Sequence, residues 1–199
     1  MTSKVQICNL ALAHIGQKSV ASLDEASVPA TYLNLYYDAA RDAALRDYNW
    51  NFATKTIALA DLGTPDRDDY DYMYAFPSAC ARVRQILPAV KGDTPPAFEV
   101  GIITDSDDND TKVIFTDKAD AVAVYTKVVT NTELYDPLFV RAFSHRLAAD
   151  VAFLITKDMD RQKTQETMYQ NVIRAAWSAD ANEGQAETPS DPSWIEARL

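Results

Sequence analysis

The stretch Arg41–Lys55, RDAALRDYNWNFATK, decides how this chain is read. Its first half is Ala-rich, with charges to one side, and favours a helix. Its second half places Tyr48, Trp50 and Phe52 within five residues, a dense aromatic cluster. A helix that ends in such a cluster has something to dock against. The three rings therefore read as a structural junction where a helix passes into a sheet. Burial there stabilises by about 1.5–3 kcal/mol per large side chain at most.

Upstream of the junction the pattern is helical. Ser3 and Gln6 fit a capping box, and Val5, Cys8, Ala11, Leu12 and Ile15 recur at helical spacing. Gly16 follows where a left-handed cap is wanted, so a first helix is predicted over about residues 4–15. Ser27-Val28-Pro29 opens a second, with Leu33, Tyr37, Ala40 and Ala44 on one face and an end near Tyr48-Asn49.

Downstream, the character changes. Ile57-Ala58-Leu59, ARVRQIL, AFEVGII, TKVIF and AVAVYTKVV read as strands of an antiparallel sheet. Tyr70, Tyr72, Tyr74 and Phe76 alternate, which places them on one strand face. Asp136-Pro137 then caps and opens a third helix, with Phe139, Phe143, Leu147, Val151 and Leu154 as its apolar stripe. Asp158 caps a fourth, to about residue 181. The fold expected is α+β, mainly an α-helical bundle of residues 1–49 and 131–181, with an antiparallel β insertion at 50–130. Residues 182–199 are expected to be an extended C-terminal tail, polar at first but carrying Trp194, Ile195 and Leu199.

Charge narrows the function. The net charge is −10, and residues 61–120 alone hold thirteen Asp/Glu against six Lys/Arg. A nucleic-acid reader needs a basic stripe, and this chain has none. The aromatic run at 70–76 sits among Asp66, Asp68, Asp69 and Asp71, which would repel phosphates. No Gly-rich phosphate loop occurs, nor any apolar run of 18 residues. The N-terminus lacks a secretory pattern, and Cys8 and Cys80 are too few for a disulfide framework or zinc site.

The loop DSDDND at 105–110 matches the first ligand spacings of a calcium loop through Asp105, Asp107 and Asn109. It then fails, with Asp110 where Gly is required and Thr116 where Glu is required, so a solvated hairpin loop is the better reading. His14 and His145 are the only histidines, and neither has a nucleophile-bearing motif, so both read as structural. No catalytic residue, metal site or cofactor is expected. A metal-assisted hydrolase using the acidic loop is the alternative of another class.

Three segments carry a resemblance: ICNLALAHIGQ, ARDAALRDYNWNFATK and YAFPSACARVRQI, spanning about residues 4–90. They resemble the head-to-tail adaptor proteins of tailed bacteriophages, in particular the tail tubular protein A type. The resemblance implies a structural protein without catalysis, forming a homo-oligomeric ring, dodecameric like the portal above it. It implies the portal protein and tail or nozzle proteins as partners, and genomic DNA passing through the lumen without sequence recognition. It places the protein in the virion neck, and in the host cytoplasm during assembly. It also favours a portal-binding role for Trp194, Ile195 and Leu199. A neck, tail-completion or stopper ring protein is the nearest alternative.

Overall fold

The computed structural model describes residues 2–104 and 108–183. Four α-helices frame the chain: α1 (Lys4–His14), α2 (Val28–Asp47), α3 (Pro137–Thr156) and α4 (Met159–Glu183). Between α2 and α3 run seven strands: β1 (Thr54–Ala58), β2 (Asp61–Gly63), β3 (Tyr72–Ala75), β4 (Cys80–Ile86), β5 (Phe98–Thr104), β6 (Asp110–Thr116) and β7 (Val122–Lys127).

Local chemistry starts each helix. Ser3 Oγ accepts from the Gln6 amide at 3.1 Å, Ser27 Oγ from Ala30 at 3.3 Å, and Asp136 Oδ1 from Leu138 at 2.7 Å. Asp158 Oδ1 accepts from Asp160 at 2.9 Å and so starts α4. Gly16 ends α1 at φ 68°, a left-handed conformation that costs glycine nothing. A Cβ there would also lie 3.0 Å from Arg161, whose Nη1 donates to the Ile15 carbonyl.

The third helix is central. It packs against α1, α2 and α4, and buries Phe139, Phe143, Leu147 and Val151 together with Ala142, Ala148 and Ala152. Those alanines bring neighbouring backbones close, and Ile7, Leu12, Leu33, Leu45 and Tyr169 fill the space around them.

The strands form two sheets rather than one. The first has the order β1-β7-β4 and the second β2-β3-β6-β5, with all pairings among the described residues antiparallel. Asp120, at φ 50°, turns the chain from the second sheet back into the first. The expected mainly helical bundle with a β insertion is therefore corrected to a mixed α+β fold of four helices and two antiparallel sheets. The physical reason is a second core. Tyr74, Val83, Ile86, Ile114, Ala121 and Ala123 come together from both sheets and cluster apart from the helical core. The period-two reading of residues 70–76 is also narrowed. Only Tyr72–Ala75 is strand, and Tyr70 lies outside it, stacked on Phe115 at 6.2 Å.

The helical core meets the first sheet at the stretch that ends α2. Tyr48 turns extended, and the Trp50 indole folds back so that Nε1 donates to the Ala44 carbonyl at 2.9 Å. Ala44 is among the last four residues of α2, whose carbonyls have no partner within the helix, so the indole serves as a side-chain cap. The Trp50 ring stands edge-on to Tyr48 at 4.8 Å and to Phe139 at 5.2 Å.

Trp50→Ala should therefore remove both a packed ring and a cap, and lower unfolding stability by about 3–5 kcal/mol. Trp50→Phe should cost less, about 1–3 kcal/mol, mainly from the orphaned Ala44 carbonyl. Urea denaturation followed by circular dichroism measures both; equal stability of Trp50→Ala and wild type would refute the junction as an energetic anchor.

Candidate functional site

Two clusters concentrate the buried functional groups: the aromatic junction and a polar cluster inside the helical layer. At the junction, Phe52 contacts Phe139 at 5.0 Å and Tyr135 at 5.8 Å, and Tyr135 stands edge-on to Phe139 at 4.8 Å. The Tyr48 hydroxyl donates to the Ala176 carbonyl at 3.3 Å, which ties α4 to the same point. Arg84 on β4 closes the cluster from the sheet side. Its Nε donates to Thr126 Oγ1 at 2.9 Å, Nη1 to Thr54 Oγ1 at 2.7 Å and Nη2 to the Trp50 carbonyl at 3.2 Å. Three fixed donors on one planar group hold β1, β7 and the end of the α2 segment in a single geometry.

Tyr48, Trp50 and Phe52 are thus brought together between α2, α3 and the first sheet. Trp194, Ile195 and Leu199 lie outside the described residues, as do Asp105 and Asp107 of the acidic loop. Of that loop's described carboxylates, Asp110 Oδ1 accepts from Thr104 Oγ1 at 2.8 Å. Among the described residues no group of three or more His, Cys, Asp and Glu could hold a metal ion. Cys8 and Cys80 are free thiols; burial pushes Cys8 up to about 12 and Cys80 up to about 11. No described helix is long and apolar enough to cross a membrane.

The second cluster was not visible in the sequence. His14 on α1 and His145 on α3 stack face to face, with ring centroids 3.9 Å apart and planes 16° apart. His14 Nε2 lies 3.1 Å from Ser144 Oγ, and His145 Nδ1 lies 2.8 Å from Gln165 Oε1 on α4. The hydrogen bonds around the rings assign their protons. Ser144 gives its hydroxyl proton to the Arg141 carbonyl at 2.9 Å, so its oxygen accepts from His14 Nε2–H. Gln165 Nε2 donates to the His14 carbonyl at 2.9 Å, so Oε1 accepts from His145 Nδ1–H. The Ser–His contact therefore has the wrong polarity for a base activating a nucleophile, because histidine is the donor.

The cluster opens to solvent through a small cavity of about 110 Å³ between α3 and α4, lined by Leu138, Arg141, His145, Met168, Asn171 and Val172. Burial, then His145, then Arg141 lower the His14 pKa from 6.5 to about 4. Protonating His14 would place its charge in a buried site beside His145 and Arg141.

No protein-family model matches the chain, and no curated protein matches it.

The depressed His14 value has a definite sign. Below pH 6.5 the unfolded imidazole takes a proton that the native one refuses, and this continues down to about 4. Stability should therefore fall across that window and the His14 contribution should level off below it. His14→Gln should show a shallower loss of stability between pH 6.5 and 4 in urea titrations; parallel wild-type and variant profiles would remove the stack from the acid response.

Proposed function

We propose that this chain is a structural head-to-tail adaptor of a tailed bacteriophage, a subunit of a ring that sits beneath the portal and lets DNA pass. The observation that carries the reading is the aromatic junction. The chain leaves the helical layer through Trp50 and Phe52 and returns through Tyr135 and Phe139, and all four rings pack in one cluster. Such a subunit moves as a block. A ring that repeats around a DNA conduit needs blocks of this kind, because slack in one subunit is copied into every interface.

The three segments resembling adaptor proteins support the same reading. Further support comes from large apolar side chains left at the surface of the helical layer. Val28 and Leu35 lie seven residues apart on α2, and Trp177 lies on α4. These are contact groups of the kind that interfaces bury. The acidic balance suits a channel that must not grip its cargo, since like charge repels phosphates.

Template assembly is expected because the helical surface is Ala-rich and carries these apolar groups as single side chains. The isolated chain should sediment as a monomer at micromolar concentration. Mixed with the portal ring of the same virus, it should bind in twelve copies, because the portal raises the effective concentration of neighbouring subunits. Deleting residues 186–199 should abolish this capture and leave the melting temperature unchanged. Sedimentation and negative-stain imaging measure the assembly. A full-length chain that ignores the portal overturns the adaptor reading, and a deletion variant that binds normally removes the tail from it.

A further inference from the structure

The helical layer presents one polar atom that the fold leaves without a partner at an otherwise buried residue. His145 is 8% exposed, and its Nδ1 is engaged by Gln165 at 2.8 Å. Its other ring nitrogen, Nε2, makes no hydrogen bond among the described residues. It is not sealed in either. Among the described residues the buried side-chain atoms without a partner are Tyr37 Oη and Arg146 Nε. His145 lines the cavity between α3 and α4, and Nε2 meets its surroundings there. A polar atom on a buried side chain needs a partner, and the cavity is the side from which one can come.

The rest of the lining defines that partner. Most of the lining side chains are apolar: Leu138, Met168, Val172 and Ala175. The cavity of about 110 Å³ is several times the room one water needs, and such walls hold a water cluster poorly. An apolar cavity of about 150 Å³ takes benzene, so a single six-membered ring with one edge in solvent fits here. Arg141 stands at an exposed position of the wall, and its guanidinium makes no ion pair or hydrogen bond among the described residues. Such a guanidinium stacks on an aromatic face, and a thioether like that of Met168 packs at a ring edge. A carboxylate would answer Arg141 alone and set its charge among apolar walls. A hydroxyl on the ring completes the match. It both gives and accepts a hydrogen bond, so it suits Nε2 with or without a proton.

We propose that the α3–α4 cavity is a binding site for a phenol group, with its hydroxyl on His145 Nε2 and its ring between Arg141 and Met168. The group arrives as a free small phenol or as a tyrosine side chain of another protein, and the recognition chemistry is the same for both. The site is separate from the aromatic junction and does not depend on the adaptor reading.

Titration of the full chain with phenol tests the site, followed by carbon–proton NMR of the two histidine rings and the methionine methyls. Phenol should shift the His145 ring signals and move the Met168 methyl upfield, saturably and in the millimolar range that suits so small a ligand. Benzene, which lacks the hydroxyl, should bind about fivefold more weakly, the worth of one hydrogen bond. Arg141→Leu should weaken phenol several-fold. His145→Phe should lower phenol to the level of benzene. Because that change also removes the Gln165 bond, Ala175→Trp serves as the second variant. It lies at an exposed position of the lining and should abolish the phenol shifts without touching the core. N-acetyl-tyrosinamide binding as tightly as phenol assigns the site to a tyrosine side chain. Phenol binding while the blocked tyrosine does not assigns it to a free phenol. No saturable shift with either, benzene matching phenol, phenol shifts that survive Ala175→Trp, or butyrate moving these signals where phenol does not, each overturns the proposal.

Discussion

The Trp50 indole on the Ala44 carbonyl is the constraint on which the rest of the structure depends. A helix end leaves carbonyls without partners, and burying one without a donor costs stability. Trp50 supplies that donor from six residues away, and in doing so turns the chain sharply out of α2. The same turn places the Trp50 carbonyl within reach of Arg84 and starts β1 at Thr54. One side chain thus ends a helix, faces the helical core and aims the first strand. The return crossing is held at the same place. The Tyr135 hydroxyl donates to the Val129 carbonyl at 2.9 Å, and its ring packs on Phe52 and Phe139.

The helical layer solves a different problem. Its centre carries polar groups, and several of them bond from one helix to another. The stacked His14 and His145, with Ser144 and Gln165, link α1, α3 and α4 through directional bonds. An apolar core tolerates small slips of one helix past another, but this set does not, because a shift would strand buried donors. Tyr169 adds a tie to α2, donating to Asp47 Oδ2 at 2.7 Å. Burial and that carboxylate raise its phenol pKa well above the ordinary value, so it remains a donor. Rigidity in the helical layer and rigidity at the junction together define a subunit suited to repetition, which is how the adaptor proposal connects to the fold.

The sequence by itself determined what is local. Helix starts at Ser3, Ser27 and Asp136 were legible because a cap bonds to amides two or three residues away. The end of α2 near Tyr48 was legible because the Ala-rich helical pattern gives way there to a dense aromatic cluster. The acidic balance, and the failure of DSDDND as a calcium loop, follow from composition and spacing alone. Tertiary structure decided everything that depends on distant partners. Arg84 reads as an exposed strand residue until Thr54, Thr126 and the Trp50 carbonyl gather round it. His14 and His145 are 131 positions apart in the numbering of the chain, and no local pattern announces their stacking. The weight of the β region, which makes the fold mixed α+β and not mainly helical, was hidden for the same reason. Alternation marks a strand's faces, but which edges meet, and whether seven strands make one sheet or two, is set by cross-strand packing that sequence spacing does not encode.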